Sequence, residues 1–208
     1  MIPLFVDCSK KRIVIFGGGD VAARKAAYFA GESEVIMVSR TFSEKCLHLP
    51  VSRQICELAS LSDAGLRKIF KGSFLVIGAL SDTAQNNRIK NICLEDGILF
   101  NNADGEAGDV MIPAISRGKQ YTFAFSTDGS SPAISRFIRT HLEKTYPGLD
   151  SMIELQNFLR EKLKESTKTQ GERNAILHEV LEDMEMWEIV TTDLPHARDL
   201  VTARYLHD

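Results

Sequence analysis

Apolar residues follow two rhythms along this chain. Arg12-Ile13-Val14-Ile15-Phe16 is a short, continuous β-branched run that ends in three glycines, which predicts a buried strand. Val21 to Ala30 is rich in alanine and stops at Gly31, which predicts a helix. The same reading gives a strand at Val35-Ile36-Met37-Val38, a helix over Leu61 to Phe70 and a strand at Phe74-Leu75-Val76-Ile77-Gly78. A helix over Ala84 to Leu94 and a strand at Ile98-Leu99-Phe100, after Gly97, complete the series. Continuous apolar strands alternating with helices indicate an α/β fold, a parallel sheet covered on both faces. After Pro113 the rhythm changes. Gln120 to Ser126 alternates polar and apolar residues and predicts one added strand. The helical period then governs Pro132 to Lys144, 151–166 and 172–189, with a last short helix over Pro195 to Leu206.

Composition sharpens this division. The chain has 208 residues, of which 44% are hydrophobic and 25% charged, with a net charge of −3. Those values suit a globular protein with a real core. They give no basic stripe for nucleic acid, and no run approaches the roughly 18 apolar residues of a membrane helix. Residues 1–131 hold 12 of the 14 glycines, whereas 132–208 hold 10 Lys+Arg against 14 Asp+Glu. The first part is therefore built from turns and strands, and the second reads as an acidic helical tail. Cys8, Cys46, Cys56 and Cys93 lie far apart with no C-x-x-C, and the start of the chain shows no secretory signal. Reduced thiols in a cytoplasmic protein are expected. The five histidines form no metal-ligand spacing, so no stored-metal site is expected.

Candidate chemistry begins at the glycines. Gly17-Gly18-Gly19-Asp20-Val21-Ala22 follows a predicted strand and opens a predicted helix, and Gly17, Gly19 and Ala22 fit G-x-G-x-x-A. The first glycine makes the tight turn, the second admits a pyrophosphate, and the small Ala22 lets helix and strand pack closely. The phosphates would sit on free amides at the positive end of the helix. NAD enzymes usually carry an acid at the end of the second strand for the ribose hydroxyls. Ser39 and Arg40 occupy that place, and Glu34 lies at the wrong end of the strand. Arg40 could meet a 2′-phosphate, so NADP stays open beside NAD.

Several further segments fall in a recognisable order. Gly17-Gly18-Gly19-Asp20-Val21-Ala22-Ala23-Arg24-Lys25-Ala26 resembles the G-G-G-x-V-A-x-R-K block of the precorrin-2 dehydrogenase/sirohydrochlorin ferrochelatase family, the dehydrogenase module of siroheme synthases. Gly78-Ala79-Leu80-Ser81-Asp82-Thr83 with Asn86-Asn87-Arg88-Ile89 is similar to that family's A-A-T-D-D…N-x-x-(I/V) stretch. Asn101-Asn102-Ala103-Asp104 is similar to its N-V-V-D, and Met111-Ile112-Pro113-Ala114 to its F-x-x-P-(A/S). Ser126-Thr127-Asp128-Gly129-Ser130-Ser131-Pro132-Ala133 resembles its S-(T/S)-x-G-x-S-P.

The resemblance implies a Rossmann-like parallel sheet, followed by a dimerisation segment and a C-terminal helical domain. The expected boundaries are 1–112 for the NAD(P)-binding domain, 113–145 for the dimerisation segment and 146–208 for the helical domain. It implies NAD-dependent oxidation of precorrin-2 to sirohydrochlorin, with Fe(II) insertion in some members, and a homodimer. The cofactor would meet Gly17, Gly18, Gly19, Asp20, Val21, Ala22, Ser39, Arg40, Ser81, Asp82 and Asn101. A dinucleotide-sensing module, or a Rossmann oxidoreductase with another substrate, is the alternative.

Both chemical steps need a proton acceptor, and Asp104 follows a strand's carboxyl end, where ligands of open α/β sheets bind. The resemblance makes it the general base, although Asp104 before Gly105 also reads as a turn signal. A macrocycle with eight carboxylates asks for cations and free amides. Arg117, Arg136 and the loop Ser126, Thr127, Gly129, Ser130 and Ser131 are the substrate candidates. Two departures stand out. Gly105 follows the aspartate where the family often has proline shortly after it, and Asp128 stands where glycine is common. No methyltransferase domain is expected after the tail.

Overall fold

A computed structural model describes residues 1–103 and 108–206. The chain divides into two compact units, Met1–Ile112 and Pro113–Asp208.

The first unit holds a five-stranded sheet in the order β3-β2-β1-β4-β5, every neighbour parallel. Its elements are β1 (Arg12–Phe16), α1 (Asp20–Phe29), β2 (Glu34–Ser39), α2 (Glu44–Leu47), β3 (Ser52–Ile55), α3 (Asp63–Phe70), β4 (Leu75–Gly78), α4 (Thr83–Glu95) and β5 (Leu99–Asn102). Strand alternation sends Ile13, Ile15, Val35, Met37, Leu75 and Ile77 to one face, against Ala22, Ala23, Ala26 and Phe29 of α1. Val14, Phe16, Val38, Val76 and Phe100 point to the other, against Leu66 and Phe70 of α3 and Ile89, Ile92 and Cys93 of α4. Both faces are dry, as the continuous apolar runs predict. This is the Rossmann-like arrangement, and β1 and β4 flank the point where the strand order reverses.

Two elements of this unit carry no apolar signal. All four residues of β3, Ser-Arg-Gln-Ile, are exposed, because it is an edge strand held by main-chain pairing with β2. Helix α2 is a single turn, too short for any period.

The second unit begins with an antiparallel pair, β6 (Ala114–Arg117) and β7 (Thr122–Phe125). The added strand predicted near Gln120 to Ser126 thus pairs with β6 in its own two-stranded sheet. The Asp150 carboxylate accepts the Lys119 and Gln120 amides at 2.9 and 2.8 Å and fixes the hairpin turn. Helix α5 (Pro132–Thr145) packs on this hairpin and buries none of its residues fully.

Helices α6 (Leu149–Lys164), α7 (Gln170–Glu182), α8 (Met184–Thr192) and α9 (Leu194–Tyr205) enclose Met152, Leu155, Leu159, Leu163, Val180, Met186, Val190, Ala197 and Val201. The expected single helix over 172–189 is two. Asp183 takes an extended conformation, ends α7 and caps α8 by accepting the Met186 amide at 3.1 Å. The apolar period runs across this break, which is why periodicity alone does not reveal it. Among the described residues no helix is long and apolar enough to cross a membrane.

Candidate active site

A cleft of about 990 Å³ opens at the carboxyl ends of the central strands. Gly17, Gly18, Gly19, Asp20, Val21, Ser39, Arg40, Ser81 and Asp82, all expected cofactor residues, line it. Ala22 and Asn101 do not. Ala22 is fully buried, and its Cβ lies 3.3 Å from the position of a Cβ built on Gly17, so it serves the close packing of helix on strand. Asn101 is buried and donates through Nδ2 to the Val110 carbonyl at 2.6 Å, while its Oδ1 has no hydrogen-bond partner among the described residues.

The three glycines answer to three different constraints. Gly17 has φ +140°, and a Cβ there would stand 2.5 Å from the Ala79 carbonyl oxygen. Gly18 faces the segment after β2, where a Cβ would overlap the Thr41 carbonyl oxygen. Gly19 faces open space, with nothing within 4 Å of a Cβ. It is the residue before α1, and no side chain caps that helix. The first amides of α1 therefore have no intrahelical acceptor and border an open recess. That is a cradle fitted to a pyrophosphate.

The segment after β2 braces the loop. The Ser43 amide donates to the Gly18 carbonyl at 2.7 Å, and the Cys46 thiol donates to the same oxygen at 3.2 Å. Lys45 pairs with Asp20 at 2.6 Å. On the opposite wall, Asp82 caps α4 by accepting the Ala84 and Gln85 amides at 2.9 and 3.2 Å. Fully buried Asn86 holds both main-chain groups of Leu80. Burial and the neighbouring Arg24 hold the Lys25 ammonium below its ordinary pKa.

Asp104, the expected general base, lies outside the described residues. Its neighbour Ala103 lines the cleft and donates its amide to the Gly78 carbonyl at 2.9 Å. The chain that returns at Gly108 to Val110 is pinned to β5. Val110 donates to the Phe100 carbonyl, and the Asp109 carboxylate accepts the Phe100 amide.

Residues 4–114 match the family model NAD_binding_7, described as "Putative NAD(P)-binding". A precorrin-2 dehydrogenase of Methanosarcina barkeri is 39% identical over 191 residues, covering 89% of this chain and 85% of the relative. The chain belongs to the precorrin-2 dehydrogenase family. A siroheme synthase of Photorhabdus laumondii is 28% identical over 176 residues, 84% of this chain but 37% of that longer protein. The solved structure of SirC, precorrin-2 dehydrogenase, covers 98% of this chain and all of its own with a TM-score of 0.70 at 19% identity, which establishes the shared fold.

The family blocks now have physical content. The G-G-G block builds the cradle, the Ser81–Asp82 block starts α4, and Asn86 of the following block locks the turn between β4 and α4. The substrate candidates lie in the second unit. Ser131 caps α5 by accepting the Ile134 amide at 3.4 Å, while the Ser126 and Thr127 hydroxyl oxygens accept the Asp128 and Ser131 amides. Gly129 and Ser130 are exposed, as is Arg136 on α5. Asp128 has φ +51°, the left-handed conformation glycine adopts without strain, and Gly129 follows at φ +82°. Arg117 pairs with Thr122 and so lies at the far end of the hairpin from this loop, about 13 Å away along the strand. The hairpin therefore does not gather Arg117 with Ser126 to Ser131.

Sequence reading missed three features of the cleft: the brace from Thr41 to Cys46, the role of Asn86, and Glu57. Glu57 lines the cleft and stands 3.5 Å from Arg40. A glutamate just past a polar edge strand gives no signal until the β2–β3 register is known.

Proposed function

We propose that this chain oxidises precorrin-2 to sirohydrochlorin with NAD, within siroheme biosynthesis. The observation that carries this reading is the open cradle at Gly19 and the start of α1, set at the reversal point of the sheet, in a chain of this family. When bound there, NAD would supply the hydride acceptor, and one proton must leave the substrate to balance the two-hydrogen oxidation. Gly17 to Val21 orient the pyrophosphate, and Ser39, Ser81 and Asp82 border the rest of the dinucleotide. Asp104, which follows the cleft-lining Ala103, takes the departing proton.

The same carboxylate serves insertion of Fe(II), a substrate here, since two pyrrole N–H protons must leave the macrocycle. Gly129, Ser130 and Arg136 offer exposed donors to the substrate's carboxylates, with Arg117 as a more distant cation. A homodimer is supported by α5, where Ile134 and Phe137 are 51% and 65% exposed beside a hairpin that is all edge. Four free cysteines fit the reducing cytoplasm.

The test is to mix the protein with precorrin-2 and NAD and follow the sirohydrochlorin and NADH spectra. Turnover with neither NAD nor NADP overturns the reading. Asp104→Ala should remove most of the rate, on the order of 100-fold or more, with NAD affinity nearly unchanged. An unaffected rate removes Asp104 from the mechanism. Supplying sirohydrochlorin with Fe(II) or Co(II) tests metal insertion separately.

A further inference from the structure

The second strand ends in Ser39 and Arg40, without the carboxylate that NAD enzymes usually place there to receive the ribose hydroxyls. The sheet supplies one from its neighbour. Strand β3 pairs parallel with β2, with Ser39 opposite Ile55, and the Cys56 amide donates to the Ser39 carbonyl at 3.0 Å. This register carries Glu57 to the same carboxyl edge, two residues beyond Ile55. Both Arg40 and Glu57 line the cleft that contains Gly17 to Gly19. Their charged groups are 3.5 Å apart, with side chains 74% and 51% exposed, so a ligand can reach either one.

We propose that Glu57 takes the place of the missing acid and makes this site select NAD over NADP. The inference rests on the reading of the cleft as a dinucleotide site, and goes beyond it by assigning the discriminating residue. Two opposed effects decide the preference. An unopposed Arg40 would favour a 2′-phosphate, since a guanidinium binds phosphate through paired N–H groups. Glu57 opposes this twice: it competes for the Arg40 guanidinium, and it brings negative charge towards the place a 2′-phosphate would occupy. To a free ribose diol the same carboxylate offers two acceptor oxygens.

The rest of the wall favours the same outcome. Among the described residues that line the cleft, Arg40 is the one cation, against the carboxylates of Asp20, Glu57 and Asp82. Asp20 is already paired with Lys45, and Asp82 is engaged with the α4 amides. Among the described residues, the Glu57 carboxylate is thus the one in the cleft wall that is held just by an exposed arginine.

Dissociation constants for NAD and NADP, measured by calorimetry on the full chain, provide the test. The wild type should bind NAD about tenfold or more tightly than NADP. Glu57→Gln should weaken NAD by about tenfold and strengthen NADP, reversing or erasing the preference. Adding Arg40→Ala to that variant should abolish the gained NADP affinity. Circular dichroism melts of the variants exclude unfolding as the cause. A wild type that prefers NADP, or a Glu57→Gln variant with an unchanged NAD-to-NADP ratio, overturns the assignment while leaving the dinucleotide site intact. Binding of neither dinucleotide by the wild type overturns the site itself.

Discussion

Asn86 grips Leu80 at two points. Its Nδ2 donates to the Leu80 carbonyl at 2.9 Å, and its Oδ1 accepts the Leu80 amide at 3.2 Å. The side chain is fully buried and spans six residues, from the first turns of α4 back to the turn that forms one wall of the cleft. Leu cannot make either bond and would strand both Leu80 groups. Asn86→Leu should therefore destabilise the protein by about 2–4 kcal/mol. Urea unfolding measures this directly. A loss below about 0.5 kcal/mol would mean that the turn holds without the side chain.

The glycines separate folding from binding. Gly17→Ala forces a side chain into φ +140° and against the Ala79 carbonyl, so it should lower both stability and dinucleotide affinity. Gly19→Ala meets nothing within 4 Å and keeps φ at −89°. It should melt within about 1 kcal/mol of the wild type yet bind NAD at least about tenfold more weakly, because its methyl enters the cradle. Melting curves and calorimetry on the two variants check the contrast. Normal NAD binding by Gly19→Ala would displace the pyrophosphate from this loop.

Cys93 is one source of lost stability at alkaline pH. Burial, then the Asp96 and Asp109 carboxylates, push the Cys93 thiol up to about 12 from 9.0. The unfolded chain releases this proton first, so above its unfolded pKa the folded state holds more protons. The contribution is complete below pH about 9 and is lost progressively towards about 12. Urea midpoints should fall across this window, and less steeply for Cys93→Ala than for the wild type. Equal slopes would assign the alkaline loss to other groups.

Helix α5 predicts the assembly state. Phe137 is 65% exposed and stacks on His141, with Ile134 one turn earlier. Phe137→Asp should convert a homodimer to monomer without lowering helix content, because the residue packs into no core of its own unit. Sedimentation velocity and circular dichroism follow the two quantities. A wild type that sediments as monomer at tens of micromolar rejects the homodimer.

The sheet was legible where both faces are apolar. Ile13 to Phe16 and Leu75 to Gly78 are buried throughout, so hydrophobicity alone marks them. Strand β3 was not legible, since main-chain pairing places it and its side chains face water. Asp183 was hidden for a related reason: the break is made by one cap, and the buried residues Val180 and Met186 continue the stripe across it. Within the cleft, Gly17 and Gly19 announce themselves by spacing along one segment. Gly18, Asn86 and Glu57 act through partners 6 to 28 residues away, and only the fold identifies those partners.

The brace on Gly18 has a thermodynamic consequence. The Ser43 amide, the Cys46 thiol and the Thr41 carbonyl fix the loop from behind, leaving its Gly19 side open. Folding has then already spent the conformational entropy that a floppy glycine-rich loop would lose when a phosphate arrives. The dinucleotide meets a preorganised surface, and more of the contact energy survives as affinity.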